Sequence, residues 1–325
     1  MKKQIIILFT SLALLSSCYD AMNEVPLERM PPEIAFKDSL KVEMFVNELY
    51  VGLNTGIGGY NSFGGGSANQ NSFFDCVTDL GVLSPRGTNT AINSFIRATF
   101  HSGAGGNTDS RWAQVYQYMR KTNVVLEYIH YCDKLSEAKM AQYIGEAKLH
   151  KALLHYEMLK RYGGITIMDD LFEGGNIELP RNTFEECVEY IVRLCEEAAG
   201  GLPLRYPDND YGRLTKGAAL GLKAKVLLYA ASPLFNEAPI AGTNEIQRYN
   251  SPDNTRWDRA AKAALDVINL KMPDGTPVYE LFPSYERLFF TREGNREFMM
   301  MKMQGMTNNV EVRNGPAGYA GATGN

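Results

Sequence analysis

Apolar side chains recur every three to four residues along several stretches of the chain, which predicts amphipathic α-helices. The longest predicted helix covers residues 137–162, is apolar on more than one side, and ends at Gly163-Gly164. A helix with that distribution is usually sandwiched between neighbours, so we expect paired helices in layers. The other predicted helices cover 36–53, 111–130 and 216–231, and two more open at the capping boxes Thr183-x-x-Glu186 and Thr255-x-x-Asp258.

The predicted helices start at irregular intervals, near residues 111, 137, 183, 214 and 257. This irregularity argues against a consensus solenoid and favours degenerate two-helix repeats with long loop insertions. The predicted fold class is therefore mainly α, with irregular tetratricopeptide-like helix pairs. The chain contains no Pro- or Ser-rich linker, so we expect one domain over 18–325 after an N-terminal segment of 1–17.

The first residues are typical of an export signal. Lys2 and Lys3 precede an apolar run that is about half of the ~20 residues needed to span a bilayer. The run ends in Leu-Ser-Ser-Cys18, which resembles a bacterial lipobox and predicts lipid attachment to Cys18 with cleavage just before it. The alternative is an ordinary cleaved signal with an incidental cysteine.

Composition narrows the function classes. The chain has 325 residues, of which 45% are hydrophobic and 11% are aromatic, and its formal net charge is −4. A disordered acidic chain is excluded because apolar residues are plentiful. Nucleic acid is not an expected partner, since the chain has no Lys/Arg-rich block to meet a phosphate backbone.

The remaining cysteines show no C-x-x-C pairing and no histidine at metal-ligand spacing, which predicts buried thiols and no metal site. Cys187 and Cys195 lie too far apart on one predicted helix for a disulfide. Bridges that involve Cys76 or Cys132 stay open.

The chain contains no common catalytic motif of the H-E-x-x-H, G-x-S-x-G or Walker type. His150 and His155 are about 140° apart around a helix and do not face one ligand. Asp169-Asp170 fits a solvated turn better than an acid/base pair. We therefore predict a protein that is not an enzyme and uses no cofactor.

Several short motifs follow one another in an order typical of one family. They are residues 112–116 (WAQVY) with Asn123, 146–148 (EAK), 160–165 (KRYGGI), 181–183 (RNT), 212–219 (GRLTKGAA) and 228–235 (LYAASPLF). Together they resemble the SusD/RagB family of outer-membrane lipoproteins over nearly the whole chain after residue 17. Members usually run longer, so the resemblance covers the N-terminal and central part and implies that a C-terminal part is missing.

The resemblance implies a lipid-anchored protein of the outer membrane that faces the cell exterior. Its implied ligand is a glycan or oligosaccharide, and its implied partner is a SusC-like TonB-dependent transporter. Two alternatives from other classes are a tetratricopeptide-type adaptor that binds a peptide or protein, and a surface hydrolase, which would need a convergent acid pair.

Sugar capture needs aromatic faces for C–H surfaces, and amides, arginines or carboxylates for hydroxyls. Two long loops, 56–75 and 84–110, have that composition, although Phe73 and Phe74 equally suit the core. The candidate ligand-binding residues are Tyr60, Asn61, Asn89, Asn93, Phe95 and Arg97, with Tyr206, Tyr211 and Tyr249 as further candidates.

Other conspicuous side chains are given structural roles. Trp112 and Trp257 each begin a predicted helix with apolar partners one turn on, which predicts core packing. The methionines at 299–301 are interpreted as core filler, and Asn123 as a side chain that satisfies backbone groups in a helix–helix contact.

Overall fold

The computed structural model describes residues 30–53, 78–80, 111–172, 178–238, 241–301 and 303, and the backbone alone of 62–63, 72–73 and Arg111. These residues confirm the mainly α-helical prediction. The helices of the described residues are α1 (Pro32–Ala35), α2 (Ser39–Gly52), α3 (Arg111–Tyr128), α4 (Glu137–Tyr162), α5 (Phe184–Gly201), α6 (Lys216–Ala231), α7 (Pro233–Asn236), α8 (Thr255–Ile268) and α9 (Tyr285–Leu288). Two short strands, β1 (Ser62–Phe63) and β2 (Ser72–Phe73), pair antiparallel, with Ser62 opposite Phe73.

The long helices stack in sequence order. Helix α2 packs on α3, α3 on α4, α4 on α5, α5 on α6, and α6 on α8. The core follows this order: one cluster lies between α1, α2 and the end of α3, and a larger one runs through α4, α5 and α6. In the larger cluster, the rings of Phe184 and Phe235 stack 4.6 Å apart.

Helix α4 begins and ends as the sequence predicts. Ser136 caps its start, and Gly163 ends it with a φ of +70°, which favours glycine. Gly164 is required by space, because a Cβ there would lie 2.1 Å from the carbonyl oxygen of Asn182. This glycine pair therefore lets the chain turn tightly against the start of α5.

The two predicted capping boxes have different outcomes. At Thr183 the box is complete: its hydroxyl accepts from the amide of Glu186, and the Glu186 carboxylate accepts from the amide of Thr183. The box at Thr255 is wrong, because α8 starts one residue earlier, with Asn254 as its N-cap. Thr255 is held by the carboxylate of Asp253 instead. The predicted helix 36–53 starts three residues later than predicted, since Asp38 caps α2 at Ser39, and it ends at Gly52.

Three predictions of core packing are wrong. Trp112 and Trp257 are 39% and 43% exposed, because each lies in the first turn of its helix with part of its ring open to solvent. In the methionine run, Met299 and Met300 are 39% and 41% exposed, since residues 298–301 line a surface cleft rather than the core.

The described cysteines lie in the interior. Cys132, Cys187 and Cys195 are buried, as predicted, and none of them is in a disulfide with a described residue, whereas Cys76 lies outside the described residues. Burial raises the pKa of the Cys187 thiol to about 11 and that of Cys195 to about 12. Among the described residues, no helix is long and apolar enough to cross a membrane, and no three His, Cys, Asp or Glu side chains are grouped as a metal site.

Candidate functional site

A cleft of about 810 Å³ lies between the loop that precedes α6 and the segment that follows α8. Its volume is within the range of small-molecule sites. Three tyrosines and one phenylalanine line it, together with four arginines and the exposed methionine run. The aromatic and basic residues are Tyr206, Tyr211, Tyr279, Phe298, Arg205, Arg213, Arg292 and Arg296.

The first wall of the cleft is shaped by a tight turn. A 3₁₀ turn over Asp208–Asp210 leads to Gly212, which has a φ of +97°. A Cβ at Gly212 would also meet the side chain of Met303, but that side chain is exposed and can move, so it is the conformation that favours glycine. Thr215 then caps α6, and its hydroxyl lies 3.1 Å from the hydroxyl of Tyr279 on the opposite wall.

A buried carboxylate beneath this wall holds it against the helices. Glu146 on α4 is fully buried, and four donors surround its two oxygens. Tyr50 donates at 2.9 Å, Arg213 at 2.9 Å, Gln142 at 2.7 Å and Tyr206 at 3.2 Å. The buried charge is therefore paired and hydrogen-bonded, which is the condition for keeping it in an interior.

Arg213 is fully committed to this arrangement. Besides Glu146, its guanidinium contacts Asp210 at 2.9 Å and Glu43 at 3.2 Å, and donates to Asn47 at 2.8 Å. Burial by itself would lower the pKa of Arg213, but the charges of Glu146 and Asp210 outweigh it and raise the pKa. Arg213 therefore joins α2, α4 and the cleft wall. Glu146 and Arg213 lie in two of the sequence motifs, 146–148 and 212–219. Local sequence pattern alone does not predict that these two motifs are in contact.

The other arginines of the cleft differ in their partners. Arg296 forms an ion pair with Glu280. Arg292 lies over the ring of Tyr211, 4.2 Å from its centroid, and donates to the carbonyl of Asp208 at 3.3 Å. Arg205 donates to the carbonyl of Val278. The cleft thus presents guanidinium groups beside aromatic rings.

A second polar cluster lies where the chain leaves α4. Lys151 is almost fully buried and contacts the carboxylate of Asp169 at 2.6 Å, and Tyr190 donates to the same oxygen. Burial by itself would raise the pKa of Asp169, but the bonds from Lys151 and Tyr190 lower it. Asp169 is half-exposed yet paired, so the predicted solvated turn is only partly right. Asp169 is held as a paired carboxylate in this cluster, away from the cleft.

Nearby side chains follow their predicted roles more closely. Asn123 donates to the carbonyls of Met168 and Asp170, so it does satisfy backbone groups, though those of the segment after α4 rather than of a helix. His150 and His155 are buried at different places: His150 meets the ring of Tyr50, and Nδ1 of His155 lies 2.7 Å from the carbonyl of Lys151.

The candidate ligand-binding residues have separate outcomes. Tyr206 and Tyr211 line the cleft, whereas Tyr249 is buried against Phe184 and carries no exposed ring face. The remaining candidates lie outside the described residues and stay predictions, as does the lipidation site. They are Tyr60, Asn61, Asn89, Asn93, Phe95, Arg97 and Cys18.

Comparison with known proteins connects this fold to a group of outer-membrane proteins. A family model described as SusD-like, "Starch-binding associating with outer membrane", matches residues 27–228. SusD-like protein P25 of Formosa agariphila is 24% identical over 218 residues, which are 65% of this chain and 40% of that protein. A SusD-like protein of Bacteroides ovatus is 26% identical over 201 residues, 61% of this chain and 33% of that protein. The chain thus spans less than half the length of these curated relatives.

Solved structures extend the comparison of the fold. A laminarin-binding SusD-like protein aligns with a TM-score of 0.61 at 18% identity, over 81% of this chain and 51% of that protein. At this identity the likeness concerns the helical architecture alone.

Proposed function

Because the chain belongs to the SusD-like family of starch-binding, outer-membrane-associated proteins, we propose that it captures oligosaccharides at the cell surface. The observation that carries this proposal is the family match over residues 27–228, which spans helices α1 to α5 and most of α6. The name of the laminarin-binding neighbour points to the same ligand class.

The proposal includes a route for the captured sugar. Lipid on Cys18, after removal of residues 1–17, anchors the protein to the outer membrane with its helical body facing the exterior. The sugar is then passed to a SusC-like TonB-dependent transporter, with no chemical change and no cofactor. The resemblance of the sequence to lipoproteins of this kind supports both steps.

The composition of the cleft supports sugar binding on the described part of the chain. Aromatic rings such as those of Tyr211 and Tyr279 offer flat apolar faces, and half-buried tyrosines keep a polar tip for hydrogen bonds. Arginines and the amide of Asn209 supply donors for hydroxyl groups. We propose that this cleft and the loop residues Asn89, Asn93, Phe95 and Arg97, with Tyr60 and Asn61, share the contacts.

Calorimetric titration of the soluble chain, produced from residue 19, against a panel of neutral and acidic oligosaccharides tests the proposal. Saturable heat with unchanged sugars supports capture. Release of shorter sugars, followed by chromatography, would replace it with the hydrolase. No heat across the panel would contradict it and turn attention to peptide ligands of an adaptor.

Two sets of variants locate the contacts. We expect Tyr211→Ala to weaken binding about tenfold if the cleft holds the sugar, and Asn93→Ala, Phe95→Ala or Arg97→Ala to do so if the loop does. Tyr131→Ala is the matched control, because Tyr131 is 40% exposed and lies in the 3₁₀ turn that follows α3, outside the cleft. Unchanged affinity in all four variants, with folding confirmed, would place the site elsewhere.

A further inference from the structure

Two of the four cleft arginines have no carboxylate partner among the described residues. Arg205 and Arg292 are both exposed, and their described polar contacts go to backbone carbonyls. By contrast, Arg213 contacts three carboxylates and Arg296 contacts one. The cleft therefore contains two guanidinium groups whose remaining N–H donors are available to a ligand.

Arg292 is also held in place before any ligand arrives. Its guanidinium lies over the ring of Tyr211, and its bond to the carbonyl of Asp208 uses only one of five N–H donors. A fixed side chain loses less conformational entropy on binding, so its contacts yield more affinity. The planar fork of a guanidinium matches the two oxygens of a carboxylate or sulfate group.

We propose that the cleft binds acidic glycans, whose uronate carboxylate or sulfate group is held by Arg205 and Arg292 while Tyr211 and Tyr279 contact the sugar rings. This inference rests on the proposed function and names its substrate class. The argument depends on unused donors rather than on net charge, because Asp208 and Glu293 also line the cleft. Their carboxylates are suited to accept hydroxyl protons of the same sugar.

The test is a comparison of matched oligosaccharides on the soluble chain. One pair is trigalacturonate and neutral galactotriose, and another is a sulfated carrageenan oligosaccharide and its desulfated form. We expect at least one acidic member to bind at least tenfold more tightly than its neutral counterpart in 20 mM salt. The preference should shrink in 0.5 M salt, because exposed charges are screened. The two pairs also distinguish carboxylate from sulfate.

Arginine variants assign the preference to the cleft. We expect Arg205→Gln and Arg292→Gln each to weaken acidic binding five- to tenfold and to leave neutral binding within twofold. Arg292→Lys keeps the charge but not the fork, so it should recover part of the loss. Arg287→Gln is the control, because Arg287 is exposed, lies five residues before Arg292 and is not part of the cleft.

The outcomes separate this inference from the proposed function. If neutral sugars bind and neither acidic pair is preferred, the inference is wrong while sugar capture stands. If an acidic preference persists in Arg205→Gln and Arg292→Gln but is lost in Arg97→Ala, the anion is held by the loop and the cleft assignment is overturned. If no sugar binds, the proposed function itself fails.

Discussion

Glu146 shows how a single residue connects distant parts of the sequence. Its carboxylate has no exposure to solvent, and its donors come from α2, from α4 itself and from the loop before α6. An unpaired carboxylate at this depth would be strongly unfavourable, whereas a fully hydrogen-bonded one fixes the positions of its partners. The wall of the cleft is therefore positioned by a buried charge that does not itself line the cleft.

Glu146→Gln removes this charge and leaves the volume almost unchanged. We expect a loss of about 2–3 kcal/mol in the free energy of unfolding, below the upper range for a broken buried pair, because Arg213 keeps Asp210 and Glu43 as partners. Urea unfolding followed by circular dichroism measures this. The control is Glu197→Gln, whose pair with Lys148 is partly exposed and should cost less than about 1 kcal/mol. Equal losses in the two variants would mean that the Glu146 contacts contribute little.

His150 makes the fold sensitive to acid. Burial lowers its pKa to about 3, and among the described residues neither ring nitrogen has a hydrogen-bond partner. The unfolded chain takes up a proton below its ordinary pKa of about 6.5, while the folded chain does not, so stability is full above that pH and falls as pH decreases towards 3.

Leucine at position 150 is close in size and cannot titrate. Between pH 7 and pH 5, we expect the free energy of unfolding of His150→Leu to fall by about 2 kcal/mol less than that of the native chain. The measurement is the pH dependence of this free energy. His130→Gln, at an exposed histidine, should follow the native curve. An unchanged pH dependence in His150→Leu would show that this ring is protonated or solvated in the fold.

At the scale of elements, the two predicted capping boxes, at Thr183 and Thr255, provide a matched pair of variants. Thr183→Ala should destabilise the protein by about 1 kcal/mol, because the start of α5 loses its side-chain cap. Thr255→Ala removes only an exposed hydrogen bond to Asp253 and should destabilise the protein by only about a few tenths of a kcal/mol. Thermal unfolding of both variants compares the two losses. A larger loss at Thr255 would mean that its turn, rather than Asn254, starts α8.

The different outcomes of the two predicted capping boxes show which structural features the sequence predicts well. Helix ends such as those at Thr183 and Gly163 depend on a few neighbouring residues, so local pattern finds them. The box at Thr255 failed because Thr255 is itself the first residue of α8, and its hydroxyl donates to Asp253 instead of accepting from a helix amide. The helices were predictable for the same local reason, since their apolar spacing is contained within each segment.

The cleft was predictable only in part, because its walls come from residues 204–215 and 278–301. The sequence predicts Tyr206 and Tyr211 as candidates because they lie in a loop, but no local pattern predicts that Tyr279 or Arg292 lies near them. The methionines at 299–301 were misassigned for this reason: an apolar run suggests the core unless its position beside an open cleft is known.

At the scale of the whole molecule, the predicted anchor limits where the helices can be. Fourteen residue steps lead from Cys18 to Pro32, where α1 starts, and an extended chain covers at most about 3.6 Å per residue. Lipid on Cys18 would therefore keep the start of α1 within about 50 Å of the membrane surface. That distance is comparable to the size of a domain, so the helical array would lie beside the membrane rather than far from it.

Cys18→Ala tests this arrangement in cells. We expect the variant to be lost from the membrane fraction and to carry no acyl label, because the thiol that receives the lipid is absent. Ser17→Ala is the control: it keeps a small residue before the cysteine, so labelling and membrane attachment should persist. A Cys18→Ala protein that still incorporated labelled fatty acid would show that the lipid is attached elsewhere. A protein that lost its label but stayed on the membrane would instead be held there by its partners, which the soluble chain could then be used to identify.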